Sequence, residues 1–175
     1  LYVLSDEAYF DILFEGNPIS ITSFPELFER SVILYTFSKK FAMTGWRLGA
    51  AIGPRTIIDA ISRFNVNDES CTNNFVQWAG VAALKGPQGD HKRMLDVLSK
   101  RRDTAVSMLN SMEGIHVASP NSTFYLYPNV TKAMEKLGMD EVEDFRKFVL
   151  ERTGVSFTTR NHFGTPFPDE VQKYI

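Results

Sequence analysis

The sequence predicts an α/β fold: part of a mainly parallel sheet with flanking helices, joined by a long helix to a smaller α+β unit. Three observations lead to this class. Continuous apolar runs near the N-terminus are followed by segments of helical period. One helical segment, residues 90–112, is long enough to link two units. After Gly114 short apolar runs return around a single amphipathic helix.

The elements follow in order. Leu1-Tyr2-Val3-Leu4 is an unbroken apolar run ending at Ser5-Asp6, the pattern of a strand buried on both faces. Residues 31–37 (SVILYTF) form a second such run, and residues 48–52 (LGAAI) a third, closed by Gly53-Pro54. Ile57, Ile58, Ile61 and Phe64 recur at helical spacing. Residues 74–85 read as the next helix, stopped by Gly86-Pro87, with Phe75, Trp78 and Leu84 expected in the core. Asp90 is placed to cap the long helix, whose inner side carries Met94, Leu98, Ala105, Leu109 and Met112. Residues 115–118, 124–127 and 155–158 read as strands, and 140–152 as a helix that turns Val142, Phe145, Phe148 and Val149 inward. The expected division is 1–90 for the larger unit and 91–175 for the long helix and the smaller one.

Composition narrows the function. The chain has 175 residues, 43% apolar and 23% charged, with a net charge of −2, so no global attraction to nucleic acid or an anionic membrane is expected. No apolar run reaches the ~20 residues of a membrane span, and no signal peptide is legible. The single cysteine, Cys71, has no partner for an internal disulfide and is expected to be a buried, inert thiol; a cytoplasmic location is expected. The basic residues Lys92, Arg93, Lys100, Arg101 and Arg102 are interleaved with Asp90, Asp96 and Asp103, which fits a solvated helix face. His91, His116 and His162 are too scattered for a metal site. The chain opens on Leu1 within a strand pattern and closes at Ile175 in a similar apolar setting, as a piece of a longer protein would.

The chemistry concentrates in T-F-S-K-K-F-A-M-T-G-W-R-L-G, residues 36–49. An amine carried into apolar surroundings loses hydration, which favours its neutral, nucleophilic form. Lys39 has Leu34 and Tyr35 before it and Phe41, Ala42 and Met43 after it, with Lys40 alongside. Such an amine suits Schiff-base formation with a carbonyl, including the aldehyde of pyridoxal phosphate. Arg47 could offer a planar fork to a phosphate, Thr36 and Ser38 could add hydroxyl donors, and Gly45 could allow the sharp turn between lysine and arginine. Asp6 stands at the end of the first strand, where open α/β sheets bind ligands, and could keep a pyridine nitrogen protonated. Tyr9 could bond the ring oxygen of the same cofactor. Taken singly, each of these residues has an ordinary surface, capping or packing role; it is their grouping that points to one site.

Residues 36–49 resemble the lysine signature of the class I/II aminotransferases, fold-type-I pyridoxal-phosphate enzymes similar to aspartate aminotransferase. S-D-E-A-Y, residues 5–9, resembles the family's Asp-x-x-Tyr at the preceding strand end, and N-S-T-F-Y-L-Y-P, residues 121–128, its small-domain segment. The resemblance extends over essentially the whole chain. It implies a C-terminal half: the later part of the cofactor-binding large domain, the connecting helix and an incomplete small domain.

That resemblance implies the following roles. Lys39 is the Schiff-base lysine and the proton shuttle, Asp6 the partner of the pyridinium, and Tyr9 the donor to the ring oxygen. Thr36, Ser38 and Arg47 bind the phosphate, while Lys40 falls on a variable position. The reaction implied is transamination between an α-amino acid and a 2-oxo acid by a homodimer. Alternatives are a β-lyase of the same fold, or a cofactor-sensing domain of a transcription regulator. The family's glycine- or serine-rich phosphate loop would precede Leu1, and its carboxylate-binding arginine would follow Ile175. The stretch alone is therefore expected to be inactive. Arg160 stands where many family members have glycine and is given no such role.

Overall fold

The computed structural model describes residues 1–175. They fall into two compact units, residues 1–97 with 121–123, and residues 98–120 with 124–175.

The first unit is built on three strands, β1 (Val3–Asp6), β2 (Ser31–Thr36) and β3 (Gly49–Ile52), in the order β1-β2-β3. β1 and β2 are parallel, with Val3 opposite Ser31 and Asp6 opposite Leu34. β2 and β3 are antiparallel, with Thr36 opposite Gly49. These three strands thus form one parallel and one antiparallel pair. The connection from β2 to β3 is a turn over residues 37–48, and a turn without a crossover element returns the chain antiparallel. β1 alternates in exposure, and Leu4 is 68% exposed, so it is covered on one face where both were expected to be buried.

A short helix not read from the sequence, α1 (Pro25–Phe28), precedes β2. α2 (Arg55–Asp68) half-buries Ile57, Ile58 and Ile61 and leaves Phe64 exposed. α3 (Asn74–Lys85) starts where the Asn73 side chain accepts a bond from the Phe75 N–H, and it ends at Gly86 ahead of Pro87. Its buried residues are Val76 and Gly80; Phe75, Trp78 and Leu84, expected in the core, are exposed. The reason is a close approach at Gly80. A Cβ there would lie 2.6 Å from Leu48 Cδ2 and 3.3 Å from Phe37 Cε1, so the helix rests on its small residue and turns its large ones outward. Phe37, Met43, Leu48 and Val76 form the buried cluster of this unit.

α4 (Gly89–Ser111) spans the boundary between the units. Asp90 lies within its first turn instead of capping it. In the second unit α5 (Thr131–Leu137), also not read from the sequence, and α6 (Val142–Thr153) enclose Val130, Met134, Val142 and Phe145. α6 stops at Gly154, which takes φ +72°.

The segments 115–118, 124–127 and 155–158 are not strands. Of their residues only His116 takes part in an isolated bridge, with Asn129. At Val117 the cause is visible. The Asn110 side chain accepts from the Val117 N–H at 2.9 Å and donates to its carbonyl at 2.9 Å, taking the place of a neighbouring strand. The apolar side chains at 117 and 157 pack inward without backbone pairing. No helix is long and apolar enough to cross a membrane.

Candidate active site

Because β1 and β2 run parallel, Asp6 and Thr36, their last residues, lie at the same edge of the sheet. The turns that follow carry the candidate residues. After β1 the chain bonds once more to its neighbour, Glu7 N–H to the Leu34 carbonyl at 3.1 Å, and then folds into a turn through Tyr9. After β2 the turn begins with Thr36 Oγ1 accepting from the Ser38 N–H at 3.1 Å and donating to the Leu48 carbonyl at 3.5 Å.

Lys39 is half-buried, and its Nζ sits 5.5 Å from the centroid of the Tyr9 ring. The amine and the phenol ring therefore meet at one small volume. Asp6 is exposed and accepts a hydrogen bond from the Ala8 N–H at 3.1 Å, with no cation paired to it. Arg47 is exposed and donates from Nη1 to the Thr44 carbonyl at 2.9 Å, with no carboxylate partner. This donor set fits pyridoxal phosphate: an unpaired guanidinium with hydroxyls for the phosphate, an unpaired carboxylate for the ring nitrogen, and an amine beside an aromatic ring.

The backbone between lysine and arginine bends differently from expectation. Gly45 belongs to a 3₁₀ turn (Thr44–Trp46) at negative φ, and the left-handed residues are Ala42 and Arg47, each at φ +53°. Non-glycine residues in this region cost about 1 kcal/mol each. Met43 and Leu48, each buried next to one of them, pack into the core and hold the turn against that cost. A cleft of about 630 Å³ opens on the arginine side, lined by Trp46, Arg47, Glu69, Cys71, Asn73 and Phe75. Cys71 is exposed there, where a buried thiol was expected, because the segment leading into α3 lies on the surface.

Other polar groups were not anticipated. Lys40 Nζ pairs with Asp11 Oδ1 at 2.8 Å, and both side chains are largely shielded. Two signals pointed to such a pair: an amine and a carboxylate, each set in an apolar run, F-S-K-K-F and Y-F-D-I-L. Burial pushes the Tyr35 phenol above its ordinary value, and the negative charge of Asp11 adds to the effect.

In the second unit Thr159 is fully buried. Its hydroxyl bonds Glu143 Oε1, and its N–H donates to His162 Nδ1 at 3.0 Å. The Thr159 hydrogen bond, then Arg146, hold the Glu143 carboxyl below its ordinary value. Arg160 pairs with Glu170 through Nε and Nη2 at 2.9 and 3.1 Å. In the basic helix Arg102 is shielded, paired with Asp103 and bonded to the Pro120 carbonyl, so that face is not uniformly solvated.

Known proteins similar to this chain point to one family. Residues 1–171 match the family model described as aminotransferase class I and II. The chain is 36% identical over 169 residues to an asparagine–oxo-acid transaminase of Streptococcus mutans, covering 95% of this chain and 43% of that protein. It is 36% identical to an aspartate aminotransferase of Sulfolobus acidocaldarius, covering 89% of this chain and 38% of the relative. The crystal structure of the aspartate aminotransferase from Rhizobium meliloti superposes with a TM-score of 0.88 at 29% identity, over 99% of this chain and 44% of that one. The chain thus spans under half the length of the relatives it matches. With the family model matching nearly the whole chain and the fold shared with solved aminotransferases, the chain belongs to the class I and II aminotransferases.

Proposed function

We propose that the full-length protein is a pyridoxal-phosphate-dependent aminotransferase that moves an amino group between an α-amino acid and a 2-oxo acid. The observation that carries this reading is the meeting of Lys39 Nζ with the Tyr9 ring at 5.5 Å, next to the strand end that bears Asp6. When bound, pyridoxal phosphate supplies an aldehyde that condenses with an amine, releasing one water, and an electron-poor ring that accepts the electron pair left at the substrate's α-carbon.

The chain's residues divide the remaining work. Lys39 Nζ provides the resting amine and, once displaced by the substrate's amine, carries the proton from the α-carbon. The Asp6 carboxylate holds a proton on the ring nitrogen, which makes the ring a better acceptor of electrons. The Tyr9 hydroxyl donates to the ring oxygen. Thr36, Ser38 and Arg47 would hold the phosphate, with the guanidinium supplying a balancing charge. The reading extends to a homodimer, which rests on the family resemblance, and to a cytoplasmic location. Its division of labour gives residues 1–90 to the cofactor-binding domain and 91–175 to the connecting helix and small domain. The activity is assigned to the full-length protein and not to this stretch alone, in keeping with the relatives' greater length.

The test is a half-reaction screen. Full-length protein loaded with pyridoxal phosphate is mixed with single amino acids, without an acceptor. The expected result is one equivalent of 2-oxo acid per bound cofactor, with turnover only after a second 2-oxo acid is added. Continuous pyruvate and ammonia from one amino acid would contradict transamination.

A further inference from the structure

The twin lysines are treated differently by the fold. Lys39 faces the Tyr9 ring, whereas Lys40 Nζ reaches back across 29 residues of sequence to Asp11 Oδ1, at 2.8 Å. The two side chains are only 20% and 25% exposed, and Lys40 Nζ also lies 5.5 Å from the Phe41 ring centroid. A shielded pair of this kind is screened little by salt and costs heavily when one partner is removed.

Its position gives it a task. Pairing between β1 and β2 ends at Asp6–Leu34, followed by one more bond from the Glu7 N–H. Beyond that point the two chains separate into the turns that carry Tyr9 and Lys39. The first turn closes on itself, with Phe10 N–H bonded to the Glu7 carbonyl and Ile12 N–H to the Tyr9 carbonyl, and is pinned by Ile12, 1% exposed. The second closes through Phe41 N–H to the Phe37 carbonyl and Ala42 N–H to the Lys39 carbonyl. Asp11 and Lys40 connect these two closed turns to each other.

We infer that the Lys40–Asp11 ion pair is a positioning device that locks the turn bearing Lys39 against the turn bearing Tyr9, so that the reactive amine is held in register with the cofactor ring. The inference rests on the proposed cofactor role of Lys39. It gives Lys40 a role through its neighbour and not as a reacting group.

The experiment uses full-length protein and pyridoxal phosphate, with three readouts: the rate at which the visible band of the lysine-bound cofactor appears, its visible circular dichroism, and the cofactor's dissociation constant. Lys40→Met and Asp11→Asn are each expected to slow band formation about tenfold and to weaken the circular dichroism. The dissociation constant is expected to change less than the rate, because the phosphate contacts remain. Asp11→Glu is expected to restore the rate most of the way, and the double variant to be no slower than either single one.

Two results overturn the inference. Band formation at the unmodified rate in both single variants removes the positioning role. Losses that multiply in the double variant show that the two residues act separately. If the unmodified protein forms no band at Lys39, the cofactor reading itself fails and takes the inference with it; a normal band there with unimpaired variants refutes the ion-pair role alone.

Discussion

The two units bury similar clusters for different ends. In the first, Phe37, Met43 and Leu48 come from one turn, the same turn that carries Lys39 and Arg47, and only Val76 comes from a helix. In the second, Val130, Met134, Val142 and Phe145 join two helices and the residue before α5. Apolar burial in the first unit immobilises a chemically active segment that includes two left-handed non-glycine residues. In the second it does the ordinary work of packing α5 on α6. The lesson is that the apolar residues around Lys39 do more than lower the polarity about the amine. They are the anchors that fix a strained turn.

The largest expected effect breaks the comparison at its chemical end. Lys39→Ala is expected to abolish condensation with pyridoxal phosphate and to lower transamination by at least about 10³-fold, measured by the visible band and by 2-oxo acid release. Next come paired core truncations. Phe37→Ala, which removes a ring packed on Tyr35 and Phe41, is expected to cost about 3–5 kcal/mol in urea unfolding and to weaken cofactor binding as well. Met134→Ala, at a side chain 1% exposed, is expected to cost about 2–5 kcal/mol while cofactor affinity stays unchanged. Equal loss of affinity in both variants would erase the distinction between the units.

Legibility in the sequence divided along the same line. The strand cores were readable as unbroken apolar runs, and α2, α3, the long helix and α6 from helical spacing and their stop signals. α5 was not, since T-K-A-M-E-K-L is too short to display a period. The segments at 115–118, 124–127 and 155–158 carried strand-like apolar runs, but such a run records burial and not the presence of a neighbouring backbone. The Asn110 amide shows how a side chain can substitute for one. Trp78 misled for a related reason: helical spacing says which residues share a face, and Gly80 decided which face the core received. Among the site residues, Lys39 Nζ lies 5.5 Å from the Tyr9 ring centroid, and Asp6 ends the strand at the same sheet edge. The Lys40–Asp11 pair went unread because its partners lie on separate turns.

The smallest expected effect sharpens the comparison from the second unit. Glu143 is held below its ordinary value, first by the Thr159 hydroxyl and then by Arg146. A carboxyl depressed in the folded state adds stability above its unfolded value, ~4.3, and that stability is lost as pH falls through the folded value. Urea midpoints measured from pH 6 down to pH 3 are therefore expected to fall less steeply for Glu143→Gln than for the unmodified protein, with no change in the cofactor band at neutral pH. Identical slopes would remove Glu143 from the account of acid sensitivity.

The most direct test of the central claim is to trap the amine. Full-length protein is incubated with pyridoxal phosphate, reduced with borohydride, digested, and the labelled peptide sequenced by mass spectrometry. The account predicts a single stoichiometric label on Lys39 within the peptide that contains F-S-K-K-F. A label on Lys40, on a lysine of the second unit, or on none would contradict it.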